Sequence, residues 1–506
     1  MRATLSPRTR LGLTLAVTGL GLGVLGDQLL RAPWGLNLVL FVLALAAAGT
    51  WVVRRFQLPV SADAPWLGTS VVLCAAAFVR RDSPTLQALD LAVLVGLLAL
   101  TALAVQGASV RLRGASAYLI ATCSACGHAS LGALRLLLGD IAWHEVEGGR
   151  RSRQLGAVGT GILLSVPLLL VFGGLFVSAD AAFESLVMRV RVDLGSPGVH
   201  VLFTGVCAAL VAGYLRGACL GNASVAAAGE RATPPGLRFA TTATVLGALD
   251  LLFLLFVALQ TRWLFGGASL VEQATGLTLS QYARRGFFEL VTAAALVLPI
   301  LLVADWATRR ETLREETSFR ALAAVLVLLV GVLVVSALQR MLLYVQAFGL
   351  TELRLYTTAF MAWLAGVFGW LLWTVLRGAR PRFAFGALVQ ALAVFAGLHL
   401  VNPDAMIVRV GVSRASAGAP FDAAYVAGSL SADAVPALLE ALPHLRPTDR
   451  GEVAERLLTR WGAAATRGAA PSPQDWRSWN WAESRARAMV RARMWELIAA
   501  SVERSR

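Results

Sequence analysis

Long apolar runs broken by short polar stretches set the pattern of this chain. Eleven of them are near the length a helix needs to cross a bilayer, at 11–30, 35–53, 64–79, 86–108, 155–177, 199–215, 240–264, 287–307, 321–344, 355–376 and 383–401. Only helices satisfy their own backbone inside lipid, so the pattern predicts an all-α polytopic integral membrane bundle of about eleven transmembrane helices. A twelfth segment, Ser116–Leu138, is weaker, being rich in small residues and carrying His128 and Arg135. Beyond residue 402 the long runs stop. Ser431 is placed to cap the run ADAVPALLEAL, Thr448 or Asp449 to cap 450–464, and a third helix is expected over 476–502 with one apolar face. The stretch Pro403 to Pro420 reads as the join between membrane and tail.

Charge orients the spans. The chain has 45 basic residues, and since the sequence holds no lysine, all are arginine. If Ser116–Leu138 does not cross and the N-terminus is cytoplasmic, 21 arginines fall in inside segments and 8 in outside loops, a clear positive-inside bias. The same placement of arginines beside apolar runs makes the net charge of +15 an orientation signal, so no nucleic-acid partner is expected. The start, MRATLSPRTR before LGLTLAVTGLGLGVLG, lacks a small-x-small cleavage site and reads as an uncleaved first helix. Four regions result: N-terminal transmembrane helices (1–110), a cytoplasmic-side amphipathic or re-entrant segment (111–154), a core transmembrane bundle (155–401) and a soluble, extracytoplasmic helical domain (402–506).

Candidate chemistry gathers on the outer side. Ser336–Trp363, the corner between the ninth and tenth spans, holds Ser336, Arg340 and Tyr344 at four-residue spacing, then Glu352, Arg354 and Tyr356. Asp180 and Glu184 follow the fifth span; Arg285 and Glu289 open the eighth. Ionisable groups at that depth are costly and usually paired, with Arg340–Glu289 the expected pair and Asp180 or Glu352 the alternatives. The set suits an anion site, because the guanidinium fork matches phosphate or carboxylate. It equally suits arginines and tyrosines that snorkel to the headgroups or tie helices together. Asp250, near the middle of the seventh span, is the candidate intramembrane carboxylate for a proton or cation.

Other motifs subtract possibilities. CSACGH offers Cys123, Cys126 and His128 without the further ligands a zinc site needs, so no metal and no cofactor are expected. Without lysine there is no P-loop, and neither GxSxG nor HExxH occurs. Gly19 and Gly23 form a GxxxG suited to close helix packing.

Several stretches together carry a resemblance: LFVSADAAFESLV, the LFGG of QTRWLFGG, YARRGFFELV, SALQRMLLYVQAFGLTELRLYTTAFMAW, VNPDAMIVR and SADAVPALLEAL. As an ordered set over roughly 155–450 they resemble a bacterial family of multi-pass membrane proteins catalogued only as a domain of unknown function. The resemblance implies a protein of the bacterial cytoplasmic (inner) membrane and supplies no activity. Three functions stay open. The first is transport of a small solute or lipid through an outward-facing polar cavity, with an anionic small molecule or lipid as ligand. The second is a membrane-embedded enzyme on a lipid-linked substrate, using Asp180, Glu184 or Glu289 as acid or base. The third is an envelope scaffold or sensor engaging envelope proteins through 402–506.

Overall fold

The computed structural model describes residues 5–111, 113–146, isolated positions between 161 and 180, 197–221, 236–264, 287–374, 377–462 and 475–504. The expected fifth span, 155–177, lies almost wholly outside the described residues. Those described are overwhelmingly helical, and ten helices among them are long and apolar enough to cross a membrane. The molecule is a multi-pass helical membrane protein in a lipid bilayer. Contacts divide it into two compact units: residues 1–110, 116–229 and 471–484, and residues 111–115, 230–470 and 485–506.

The first unit contains α1 (Pro7–Leu30), α2 (Leu36–Phe56), α3 (Ala64–Arg80), α4 (Pro84–Val105), α5 (Ala115–Arg135, continued by a π turn Leu136–Asp140) and α6 (Pro197–Leu220). At 17 residues α3 is about 26 Å long, short of a bilayer core. Lipid tails are as apolar as leucine, so hydrophobicity does not hold such helices together; close packing and polar bonds do. The GxxxG of α1 supplies the packing. A Cβ on Gly19 would stand 2.6 Å from Ala212 Cβ, and one on Gly23 2.6 Å from Ala208 Cβ. The antiparallel α1–α6 pair therefore depends on hydrogen at both positions.

Polar bonds close both ends of that pair. At one end Asp140, 2% exposed, accepts from Arg8 Nη2 at 2.7 Å and Arg216 Nε at 2.5 Å. At the other, His200 Nδ1 lies 2.6 Å from Asp27 Oδ2, with Arg31 Nη1 3.6 Å from Asp27 Oδ1. Among the described residues, several contacts of α5 lie at the first of these ends. Tyr118 donates to the Val110 carbonyl at 3.1 Å, His128 packs on Gly217, Gly132 on Gly213, and Ile141 on Gly12. From Tyr118 to Asp140 is roughly 33 Å of helix. These packing partners lie within about two turns of the same ends of α1, α4 and α6, and α5 with its π turn is itself one of the ten helices long and apolar enough to cross a membrane.

At the opposite end of the first unit, tail residues stitch two corners. Leu36 N–H donates to the Trp479 carbonyl at 3.0 Å and Arg477 Nη1 to the Gln28 carbonyl at 2.6 Å. Asn480 Nδ2 donates to the carbonyls of Phe78 and Arg81, both at 2.9 Å. The α1–α2 and α3–α4 corners are thus bound to one tail segment.

The second unit is built around α9 (Leu313–Phe348), about 54 Å long, flanked by α7 (Phe239–Leu264), α8 (Phe287–Ala307), α10 (Glu352–Thr374) and α11 (Phe383–Val401). A capping box starts α9: Thr312 accepts from the Glu315 N–H and the Glu315 side chain from the Thr312 N–H. Its core stripe, with Phe319, Leu326, Val330 and Leu333, packs among α7, α8 and α10. Below it, Arg310 bridges Asp305 at 2.8 Å and Glu316 at 3.0 Å. A two-residue parallel pairing, Leu237–Arg238 with Thr308–Arg309, ties the start of α7 to the end of α8.

The tail continues as α12 (Pro403–Ser416), α13 (Ala423–Gly428), α14 (Val435–Ala441), α15 (Pro447–Leu457), α16 (Trp481–Ala492) and α17 (Met494–Arg504). Helix α12 occupies the stretch expected as a join, because Asn402 caps it and Pro403 takes its first position. The single helix expected over 476–502 is a 3₁₀ turn (Trp476–Ser478) and two helices.

Candidate functional site

A helix end leaves its last carbonyls without partners, and α9 ends at Gly349, whose φ of +80° suits glycine. Two arginines fill the gap. Arg354 Nη1 donates to the Phe348 carbonyl at 3.2 Å and to that of Gly349. Arg414 Nη2, from α12, donates to the carbonyls of Gln346 at 3.0 Å and Ala347 at 2.8 Å. Both cations sit at the negative end of the helix dipole. The Arg354 guanidinium also lies 4.0 Å from the centre of the Tyr344 ring, and Tyr344 packs on Phe348. From the tail, Tyr425 Oη accepts from the Glu352 N–H at 3.0 Å, serving the first turn of α10.

The corner expected as a polar layer is therefore, in large part, a double helix cap. Tyr344, Glu352 and Arg354 are brought together there. Ser336 is buried one turn below half-buried Arg340, and Tyr356 is half-buried on α10. Glu289 is exposed, and no ion pair joins it to Arg340 among the described residues. Asp180 is exposed and belongs to the first unit, whereas Glu289, Ser336, Arg340, Tyr344, Glu352, Arg354 and Tyr356 belong to the second. Glu184 and Arg285 lie outside the described residues.

Asp250 stands apart. It falls about 17 Å along α7, on the face shared with Leu246, Phe253 and Val257, while Leu251, Leu252, Leu254 and Leu255 face away from the core. It is 8% exposed, and neither carboxylate oxygen has a hydrogen-bond partner among the described residues. Among the described residues, Trp363 Nε1 on α10 and Gln390 Oε1 on α11 are also buried in this unit without a hydrogen-bond partner. On α8, Pro299 removes a backbone donor and so frees the Ala295 carbonyl from the helix ladder. Unpaired polar groups at this depth are the costly exception in a folded protein.

Some partners were not readable from local sequence. Arg414 and Tyr425 act on a corner some 60 to 70 residues upstream, and nothing in their own neighbourhood signals it. Asp140 and Asp27 could have been found as carboxylates that a marginal segment and a span end tolerate only when paired. Two stretches noted in the sequence do meet in space. Asp404 of VNPDAMIVR, fully buried, accepts from the Ser431 N–H at 2.9 Å and Oγ at 2.5 Å, at the start of SADAVPALLEAL. Asn402 Nδ2 reaches the Asp433 carbonyl at 3.2 Å.

Among the described residues no group of three or more His, Cys, Asp or Glu is placed to hold a metal ion. Cys123 and Cys126 are exposed on α5, and His128 Nδ1 lies 3.2 Å from Ser124 Oγ. No curated protein and no solved structure matches the chain. Residues 67–441, from α3 to α14, match the family described as Domain of unknown function (DUF4153). That stretch holds the α9–α10 corner, Asp250 and the Asp404–Ser431 contact, it is well over half of the sequence, and the chain belongs to this family.

Proposed function

We propose that the protein is a transporter in which Asp250 takes up and releases a proton or small cation coupled to movement of a small solute. One observation carries this reading: a carboxylate in the middle of a span, buried, with both oxygens unpartnered among the described residues. A charged carboxylate there costs about 3 kcal/mol on insertion scales, and binding a proton or cation removes that cost. A helix interrupted by Pro299 in the same unit adds a point where backbone geometry can change.

For orientation, we place the arginine-rich ends and α5 on the cytoplasmic side of a bacterial inner membrane. The α9–α10 corner and the tail then lie outside. The positive-inside bias supports this, as does the docking of tail residues on the α1–α2 and α3–α4 corners, which that topology puts outside.

Dicyclohexylcarbodiimide tests the reading, because it modifies protonated carboxyls from within lipid. Mass spectrometry should find the adduct on Asp250, with labelling that falls as pH rises, and none in Asp250→Asn. A wild-type protein that stays unlabelled at every pH would remove the proposal's support.

A further inference from the structure

In the first unit a cavity of about 510 Å³ opens between α2 and α3, floored by α4 and α6. Its volume is within the range of about 300–1,000 Å³ for small-molecule sites. Val42, Leu45, Val71, Leu98 and Leu215 make its walls apolar, and Arg54 stands at one end. The helices α3, α4 and α6 contribute their halves nearer the arginine-rich end, and α2 contributes residues from Val42 to Arg54, about 18 Å of helix or roughly one leaflet's depth. Beside it, an open face of α2 shares Ala46, Thr50 and Arg54 with the cavity and adds Trp51 and Arg55. Arg54 and Arg55 are exposed, and among the described residues neither has an ion-pair partner.

We infer that this crevice is a binding site for one anionic phospholipid of the adjacent leaflet. One acyl chain fills the cavity, the second lies along the open face of α2, and the phosphate meets Arg54 and Arg55. Three features of the crevice select this occupant. The walls are apolar, which is what an acyl chain requires. The cavity and the open face of α2 share Arg54, which matches a ligand with two chains and one headgroup. Two unpaired guanidiniums at that point match a negative headgroup, and the fork of arginine suits phosphate. The site is independent of Asp250 and of the transport reading.

Gly68 provides the handle. A Cβ there meets nothing within 4 Å, so a large side chain can enter the cavity without striking a helix. The protein is purified in mild detergent, supplied with an equal mixture of phosphatidylglycerol and phosphatidylcholine, and weighed by native mass spectrometry. Wild type should retain one phosphatidylglycerol in preference. Gly68→Trp should lower retained lipid about tenfold. Gly96→Trp, at a position equally open but outside the cavity lining, should leave it unchanged. Arg54→Ala with Arg55→Ala should keep a bound lipid but lower the anionic preference by about thirtyfold, the conversion of about 1 kcal/mol per arginine near a charged surface. Helical content by circular dichroism and a monodisperse elution profile establish folding for each variant. Equal retention in wild type and Gly68→Trp overturns the site. Equal preference in wild type and the double variant overturns the headgroup assignment.

Discussion

Replacing Arg354 separates a helix cap from a ligand site. As a cap, its guanidinium gives two donors to the last carbonyls of α9, a positive charge to the helix dipole and a cation–π contact to Tyr344. A hydrogen bond from a charged donor contributes about 1.5–3 kcal/mol when buried. Here the residue is half-exposed and water can replace it, so the bonds together come to about 1 kcal/mol. The dipole adds about 0.3–1 kcal/mol and the ring about 0.5–1 kcal/mol at exposed sites. Arg354→Gln should therefore destabilise the protein by about 2 kcal/mol. Arg354→Lys should recover the dipole share but not the planar guanidinium's contact with the Tyr344 ring, leaving a loss of about 1 kcal/mol. Arg414→Gln acts on the neighbouring carbonyls of the same helix end, so the double variant should depart from additivity by about 0.5 kcal/mol or more. Reversible unfolding in mixed micelles, followed by tryptophan fluorescence, gives each difference. Unchanged stability in Arg354→Gln, together with loss of a co-purifying anion, would refute the cap and restore the ligand site.

Other outcomes follow from the same contacts. Gly23→Leu drives a side chain into Ala208 and the Thr204 carbonyl and should cost about 1–3 kcal/mol, while Gly21→Leu, with open space around it, should be neutral in the same unfolding assay. Asn480→Leu leaves the Phe78 and Arg81 carbonyls without their donor and should release the tail, read as faster proteolysis within 463–480. The Asp475 carboxyl is held below its ordinary value of 3.8 by hydrogen bonds from Arg477, which also reaches the Gln28 carbonyl. A depressed folded value contributes stability above the unfolded one and loses it as pH falls through the folded one. Hydrogen exchange at the Leu36 amide, corrected for intrinsic rate, should stay slow at neutral pH and accelerate only below about pH 4. Exchange that accelerates between pH 7 and 5 would assign the docking to other groups.

Nine of the eleven expected spans coincide with described helices long and apolar enough to cross, because apolar run length is a local property. The tenth such helix, Ala115–Asp140, is the weaker segment outside the eleven, and α3 is short. The α1–α6 contact was half legible: Gly19 and Gly23 announced close packing, but Ala208 and Ala212, nearly two hundred residues away, did not announce themselves as its partners. Arg354 read as an anion ligand because its chemistry is the same toward a phosphate and toward a helix's last carbonyls. Only the chain's path, which brings Arg414 and Tyr425 to the same corner, separates the two. The helix α12 carried its signal openly in Asn402–Pro403–Asp404, a capping residue before a proline at the first helical position. The break near residue 493 did not, because Arg493 ends α16 by reaching the Leu439 carbonyl at 2.9 Å, a long-range bond. Asp250 was legible as a costly residue from its depth alone. That both its oxygens are buried without partners required coordinates.

A pH step applied to proteoliposomes on a solid-supported membrane tests the central claim most directly, because it registers proton binding inside the membrane field without knowledge of the cargo. Wild type should give a transient displacement current, and Asp250→Asn, reconstituted to the same density, should give none. Identical currents from the two proteins would contradict the assignment of Asp250 as the coupling carboxylate.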